Sequence, residues 1–308
     1  MATPSSPCYT LLTAEALAAR IAAAEAALRE CRLCGNACGI DRTRHVGPCR
    51  IGDTIYVASY GPHHGEEDVL RGRYGSGTIF FSGCNLRCSY CQNYDISQQV
   101  VGEPVTPGEL ARMMLDLQAL GCHNLNLVSP THVAAHLIPA IVLASKAGLR
   151  LPIVYNSGGY DAPQALALMD GLIDIYMPDM KYADAVIAER LSGVRNYPAV
   201  NQAAVREMHR QVGDLTVDAR GLAVRGVLIR HLVLPEGLAG TAEIARFLAE
   251  EISPATYFNL MPQYHPAYLA AREPALRRRI TAAEYAEAER QARAAGLWRF
   301  EPRTPRWD

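Results

Sequence analysis

Six short runs rich in β-branched and aromatic residues, separated by stretches of helical pattern, constrain this 308-residue chain more than anything else in it. They fall at Ile79 to Ser82, Asn124 to Val128, Pro152 to Tyr155, Ile173 to Met177, Val227 to Leu234 and Thr256 to Leu260. Some are apolar on both faces, as parallel strands covered by helices require. The intervening segments carry helix-start chemistry. Thr106-Pro107-Gly108-Glu109 reads as a capping box with Pro at the first helical position, and helical patterns run from His132 to Ala147, Ala162 to Leu168, Ala183 to Leu191 and Thr241 to Glu251. Thr281-Ala282-Ala283-Glu284 starts a last helix reaching about Ala295. Repeated strand-helix units with right-handed crossovers predict an α/β fold, either an open doubly wound sheet or a partial (β/α)6 barrel of parallel strands.

The strand ends favour the partial barrel, because barrel enzymes gather their chemistry at the C-terminal ends of the strands. The six runs end in Ser82-Gly83-Cys84, Ser129-Pro130-Thr131-His132, Asn156-Ser157-Gly158-Gly159, Pro178-Asp179-Met180-Lys181, Pro235-Glu236-Gly237 and Pro262-Gln263-Tyr264-His265. Any one of these is ordinary turn composition; only the set is informative. The Ala-, Leu- and Glu-rich stretch Leu11 to Glu30 reads as a helix leading into a cysteine cluster. Three parts follow: an N-terminal helix and Cys-rich metal-binding module over 1–75, the barrel over 76–270, and a C-terminal helix and tail over 271–308.

Lys+Arg 30 against Asp+Glu 31 leaves a formal charge of -1, so no global field attracts nucleic acid or an anionic membrane. Neither a basic-then-apolar leader nor an apolar run of membrane-spanning length is visible, which points to a soluble cytoplasmic protein. Of nine cysteines, seven fall in two tight clusters and only Cys8 and Cys122 stand apart, read as a tail thiol and a buried one. Such usage favours cofactor ligation in a reducing compartment over disulfides.

The first run leads directly into Cys84-Asn85-Leu86-Arg87-Cys88-Ser89-Tyr90-Cys91. Three thiolates spaced Cys-x3-Cys-x2-Cys can hold three irons of a 4Fe-4S cluster and leave the fourth for an outside molecule. On the residues alone, part of a zinc site or a buried trio stand as alternatives. The second set, Cys31, Cys34, Cys38 and Cys49, offers four thiolates and so closes a site, with Gly35, Gly39 and Gly47 supplying turns. Zinc or an auxiliary 4Fe-4S cluster both suit it. His63-His64-Gly65-Glu66-Glu67 is not read as a metal box, since neighbouring side chains of an extended segment point to opposite sides. Arg277-Arg278-Arg279 is expected on the solvent side near the last helix.

Together the cysteine triad, the aromatic Tyr90 before its last member and the order of strand-end segments resemble the radical S-adenosyl-L-methionine (SAM) superfamily. The likeness is to its pyruvate formate-lyase activating enzyme-like branch, from the first cysteine cluster to His265. That resemblance implies a cytoplasmic oxidoreductase that cleaves SAM reductively at a 4Fe-4S cluster, giving a 5′-deoxyadenosyl radical for hydrogen-atom abstraction. It further implies that Cys84, Cys88 and Cys91 hold the cluster and that Tyr90 lies near the adenine. Ser129 and Thr131 stand where the family has Gly-Gly-Glu, Asn156 and Ser157 where it has an Asp-Thr-Asn-Gly-like segment, Asp179 and Lys181 where it has Asp-x-Lys, and His265 in its Pro-Tyr-His segment. The partners it implies are a glycyl radical enzyme as protein substrate and an electron donor such as flavodoxin or ferredoxin. Modification of a different protein or small molecule is the alternative within enzymes; a non-catalytic iron-sulfur or zinc protein is the alternative outside them. Balanced charge without an Arg/Lys-aromatic stripe speaks against nucleic acid.

Overall fold

The computed structural model describes residues 6–302; the ends of the first and last expected parts, 1–5 and 303–308, lie outside the described residues. In chain order the strands are β1 (Ile55–His63), β2 (Ser76–Phe81), β3 (Glu103–Val105), β4 (Leu125–Val128), β5 (Ile153–Ser157), β6 (Ile175–Pro178), β7 (Thr216–Val217), β8 (Ala223–Leu232), β9 (Tyr257–Met261) and β10 (Arg299–Phe300). The helices are α1 (Ala14–Arg29), α2 (Asp68–Arg71), α3 (Tyr94–Gln99), α4 (Pro107–Ala119), α5 (Ala134–Lys146), α6 (Pro163–Met169), α7 (Ala185–Ser192), α8 (Tyr197–Val212), α9 (Thr241–Phe247) and α10 (Ala282–Ala294).

The sheet runs β10-β9-β8-β6-β5-β4-β2-β1-β3, with β7 on the side of β8. From β2 to β9 every pairing along this path is parallel and the strands lie in sequence order. Each crossover therefore lays its strand beside the previous one, and all six C-terminal ends share one rim. The sheet is a partial barrel that does not close: its path ends in β10 on one side and, through the antiparallel pairs of β1 with β2 and β3, in β3 on the other.

Strand alternation separates two interiors. Ile79, Phe81, Leu125, Leu127, Ile153, Tyr155, Ile229, Phe258 and Leu260 pack outward in the main core beneath the helices. Val154, Ile175, Met177, Leu228 and Tyr257 point inward as a second cluster, on which Leu70 of α2 closes the bottom.

Each of the six expected strands corresponds to an observed one, shifted by a few residues. Both capping boxes form, Thr106 with Glu109 and Thr281 with Glu284. The helix expected to run from Thr241 to Glu251 is α9 followed by a π turn over Leu248–Ile252. Helix α8 was not expected: Pro198 and its run of polar residues obscure the pattern, yet Tyr197, Ala204, Val205, Met208 and Val212 are buried on one side. Cys8 is no tail thiol but is buried, its Sγ accepting from Arg225 and its N–H donating to Asp174 at 2.7 Å. Among the described residues no helix is long and apolar enough to cross a membrane.

Candidate functional site

The cysteine loop leaves β2 through Gly83, whose φ is +81°. A Cβ there would lie 2.6 Å from the carbonyl oxygen of Cys49 and 3.2 Å from the His132 ring, so only glycine lets the chain pass. Beyond it, each of the three thiols has a hydrogen-bonding neighbour. Leu86 N–H lies 3.4 Å from Cys84 Sγ, the Ser192 hydroxyl donates to Cys88 Sγ at 2.9 Å, and Cys91 Sγ is 3.2 Å from Ser97 Oγ. Burial pushes the Cys84 thiol up to about 12 and raises that of Cys88, so a bound cation is needed to make these groups thiolates at neutral pH.

All three cysteines line one cavity of about 270 Å³ together with Tyr90, Ser129, Asn156, Ser157, Asp179, Lys181 and Arg230. The donor set fits a 4Fe-4S cluster held by three thiolates, with polar groups from four further strand ends around it. At the far wall the Asp179 carboxylate accepts from Lys181 Nζ at 2.6 Å and from Arg230 Nε at 2.8 Å, while an Arg230 Nη donates to Asn156 Oδ1 at 2.7 Å. Burial alone would raise the Asp179 carboxyl, but Arg230 and Lys181 outweigh it and hold it below the usual carboxylate range. Burial opposes charge on Lys181 too, and Asp179 more than restores it.

Tyr90 is buried between the second and third cysteines, its hydroxyl accepting from Tyr182 at 2.6 Å and its ring edge-on to Tyr264. Ser129 adopts φ +58° at the cavity wall, its N–H donating to the Asn156 carbonyl at 2.9 Å. Thr131 is not among the lining residues: its hydroxyl turns to Asp161 at 2.7 Å, joining Tyr155 and Ser157 around that buried carboxylate. His265 stands at the edge, 3.1 Å from Nε2 of the lining residue Gln92. The residue that sequence reasoning missed is Arg230; its signal was a lone guanidinium inside the apolar run Val227 to Leu234.

The other four cysteines meet around a separate enclosed cavity of about 10 Å³, lined also by Arg42 and His132. Arg42 is 2 % exposed; it donates to the carbonyls of Gly52 and His132 and lies 3.5 Å from Cys31 Sγ. A buried guanidinium beside four thiols suits a site whose ligands are anionic. Among the described residues no three His, Cys, Asp or Glu side chains are drawn together tightly enough to hold a single ion. This module grips the cysteine loop, Asn36 donating to the Asn85 carbonyl at 2.8 Å and Arg87 to that of Pro48. His63 and His64 are exposed, as are Arg277, Arg278 and Arg279.

The Radical SAM superfamily domain matches residues 78–219. "Uncharacterized protein MJ0674" of Methanocaldococcus jannaschii is 33% identical over 270 residues, covering 84% of this chain and 73% of that protein. Among solved structures, a radical SAM methyltransferase from Sphaerobacter thermophilus is similar with a TM-score of 0.49 at 19% identity, over 72% of this chain and 64% of that one. Streptococcus suis SuiB bound to precursor peptide SuiA gives 0.48 at 12%, over 70% and 46%, so this chain spans under two thirds of either protein's length.

One prediction concerns the acidic wall. Asp179 has a depressed pKa in the fold, so its contribution to stability is present above the unfolded carboxyl value, about pH 4, and is lost as pH falls through the folded value. Arg230→Gln removes the larger cause. Urea unfolding of metal-free protein is expected to show the wild-type advantage full above about pH 5 and shrinking below about pH 4; an advantage independent of pH would contradict the assignment.

Proposed function

Because this chain belongs to the radical SAM superfamily, we propose that it cleaves SAM reductively and uses the resulting 5′-deoxyadenosyl radical to take a hydrogen atom from a substrate. The observation that carries this reading is the convergence of Cys84, Cys88 and Cys91 with four further strand ends on one cavity. When bound, a 4Fe-4S cluster with one iron open to SAM supplies the electron that splits a carbon–sulfur bond, the electron coming from a flavodoxin- or ferredoxin-like donor. The chain's residues bind and orient. Lys181 spends one ammonium donor on Asp179 and keeps others for the methionyl carboxylate. Asp179, fixed by Arg230, presents its carboxylate toward the ribose; Asn156, Ser157 and Ser129 complete the polar wall, and Tyr90 shields the cysteine loop from water. Thr131 and His265, lying off the cavity lining, act at most through Asp161 and Gln92.

At the finer level we read the chain as similar to pyruvate formate-lyase activating enzymes, with a glycine Cα–H of a glycyl radical enzyme as the hydrogen donor. The order of the strand-end segments, with Asn156-Ser157-Gly158 and Asp179-Met180-Lys181 on the same cavity, supports it. A second reading, modification of another protein or of a small molecule, is favoured by one observation: Ser129 at the place of the branch's acidic segment. The N-terminal thiols are read as ligands of an auxiliary 4Fe-4S cluster, or of a zinc ion whose binding draws them closer than they stand here, with Arg42 offsetting the charge of the thiolates. All nine cysteines are free, which suits a reducing compartment such as the cytoplasm.

Three expectations follow from these assignments. Anaerobically reconstituted protein with a strong reductant converts SAM to 5′-deoxyadenosine and Cys88→Ala does not; equal turnover by the variant rejects the triad. Iron, sulfide and zinc analysis of Cys84→Ala/Cys88→Ala/Cys91→Ala protein finds either residual cluster iron or stoichiometric zinc, lost on Cys34→Ser; metal-free material rejects the second site. Incubating the reduced enzyme and SAM with a pyruvate formate-lyase-type partner yields a glycine-centred radical signal by electron paramagnetic resonance, whereas deoxyadenosine formation without such a signal favours the second reading.

A further inference from the structure

Cys34 of the N-terminal module stands directly opposite Asp161, as an isolated antiparallel bridge between that module and the loop after β5. Gly35 N–H donates to the Tyr160 carbonyl at 3.3 Å and Ala162 N–H to that of Leu33 at 3.1 Å, so the neighbours of Cys34 pin the chain on both sides of Asp161. A Cβ on Gly35 would fall 2.4 Å from the Tyr160 ring, which leaves no slack at the crossing. The Tyr160 carbonyl also accepts from Asn85 of the cysteine loop at 3.0 Å.

Asp161 is 1 % exposed, and its carboxylate gathers three hydroxyls: Thr131 and Tyr155 donate to Oδ1 at 2.7 and 3.0 Å, and Ser157 to Oδ2 at 2.7 Å. Tyr155 and Ser157 share the face of β5 that is turned to the main core, so the carboxylate lies behind the cavity wall, on the side of the N-terminal module. Ser157 lines the cavity, and Thr131 follows the lining residue Ser129 by two positions. The turn between Ser157 and Asp161 is tightly packed: a Cβ on Gly159 would lie 2.1 Å from the Asp179 carbonyl oxygen and 2.2 Å from Asn201 Nδ2. A shift at Cys34 is therefore passed to the wall and not absorbed in the loop.

Filling the four-thiol site has to move Cys34. The cavity between these thiols is about 10 Å³, room for no more than a water molecule, and among the described residues no three of them are close enough to hold a single ion. We propose that Asp161 is a positioning residue that couples the two cysteine centres: an occupant of the four-thiol site sets Cys34, the strand pairing sets Asp161, and Asp161 sets Ser157 and Thr131, so that the cavity binds SAM more tightly than when that site is empty. This deepens the reading above and rests on both its assignments, SAM in the cavity and a metal centre at the four thiols. Bonds from several thiolates to one occupant fix the module in advance, and SAM then gives up less free energy in ordering the wall. Linkage makes the effect mutual, SAM tightening the second centre by the same factor.

The test is equilibrium dialysis of SAM against full-length protein reconstituted anaerobically with iron, sulfide and zinc and left unreduced, so that no turnover occurs. Cys38→Ser/Cys49→Ser empties the second site without touching Cys34 and is expected to weaken SAM binding about tenfold. Asp161→Ala weakens it comparably, and adding the two cysteine changes to Asp161→Ala weakens it no further, because the link is already cut. Thr131→Val, which removes one of the three hydroxyls and keeps the side-chain shape, stands in if Asp161→Ala lacks a native unfolding transition; the effect of emptying the site shrinks in it. Hydrogen exchange gives a second measurement that needs no SAM: amides of residues 157–162 exchange more slowly in wild-type protein with the site filled than in Cys38→Ser/Cys49→Ser. Equal SAM affinity with the site filled and empty, additive effects of the cysteine and Asp161 changes, or equal exchange over 157–162 would each overturn the proposal. Wild-type protein that holds no metal beyond the triad rejects the second-centre reading and this coupling with it. Protein that holds that metal and binds no SAM counts against the SAM reading, and exchange over 157–162 then decides on the coupling by itself.

Discussion

One half-buried carboxylate organises the rim of this barrel. Asp179 lies just past β6, accepts from Lys181 of its own strand end and from Arg230 of β8, and through Arg230 is tied to Asn156 of β5. Three neighbouring strand ends are thereby held in one relative position by charge-assisted bonds, which are short and directional. The backbone repeats the linkage, with Asp179 N–H on the Ser157 carbonyl and Met180 N–H on that of Arg230, both bonds near 2.9 Å. Removing Asp179 would leave two half-buried cations without their counter-charge, a larger cost than losing a surface pair.

Opposite this wall stands the cysteine loop, and it is positioned from outside the barrel as well as from within. The N-terminal module presses on it at Gly83, Asn85 and Arg87. Tyr160, whose ring meets Gly35 of that module, stacks on Tyr197, which in turn packs on Tyr182, the hydrogen-bond partner of Tyr90. A contiguous tyrosine layer thus joins the two cysteine sets, and shape complementarity at both ends leaves little freedom for either. Separate in sequence, the two modules are one packed unit around the loop.

Much of this was legible from the chain alone, for identifiable reasons. Parallel strands buried on both faces write continuous apolar runs, and Thr106 and Thr281 announce their helices because a capping box is a local, four-residue interaction. The cysteine sets are equally local, their spacing being set by turns. Arg230 is the opposite case: it sits within a strand, and nothing in its neighbourhood in sequence shows that its partners are 51 and 74 residues away. Thr131 misled because it follows the second parallel strand as the pattern requires, yet its hydroxyl is captured by Asp161, thirty residues on. Helix α8 escaped because its buried side is sparse and its start carries proline, a pattern that only packing completes.

The chain alone dictated the grouping of Cys84, Cys88 and Cys91 in one loop, the number and direction of the main strands, and which loops would meet on one rim, because each of these depends on spacing, propensity or the handedness of a single crossover. Folding in three dimensions settled which polar side chains face the cavity, that the distant Arg230 joins the local Lys181 in holding Asp179, and that Glu67 reaches Asn259. Those outcomes depend on strand register and on which distant groups come within hydrogen-bond reach, and both are fixed when the whole sheet curls and not before.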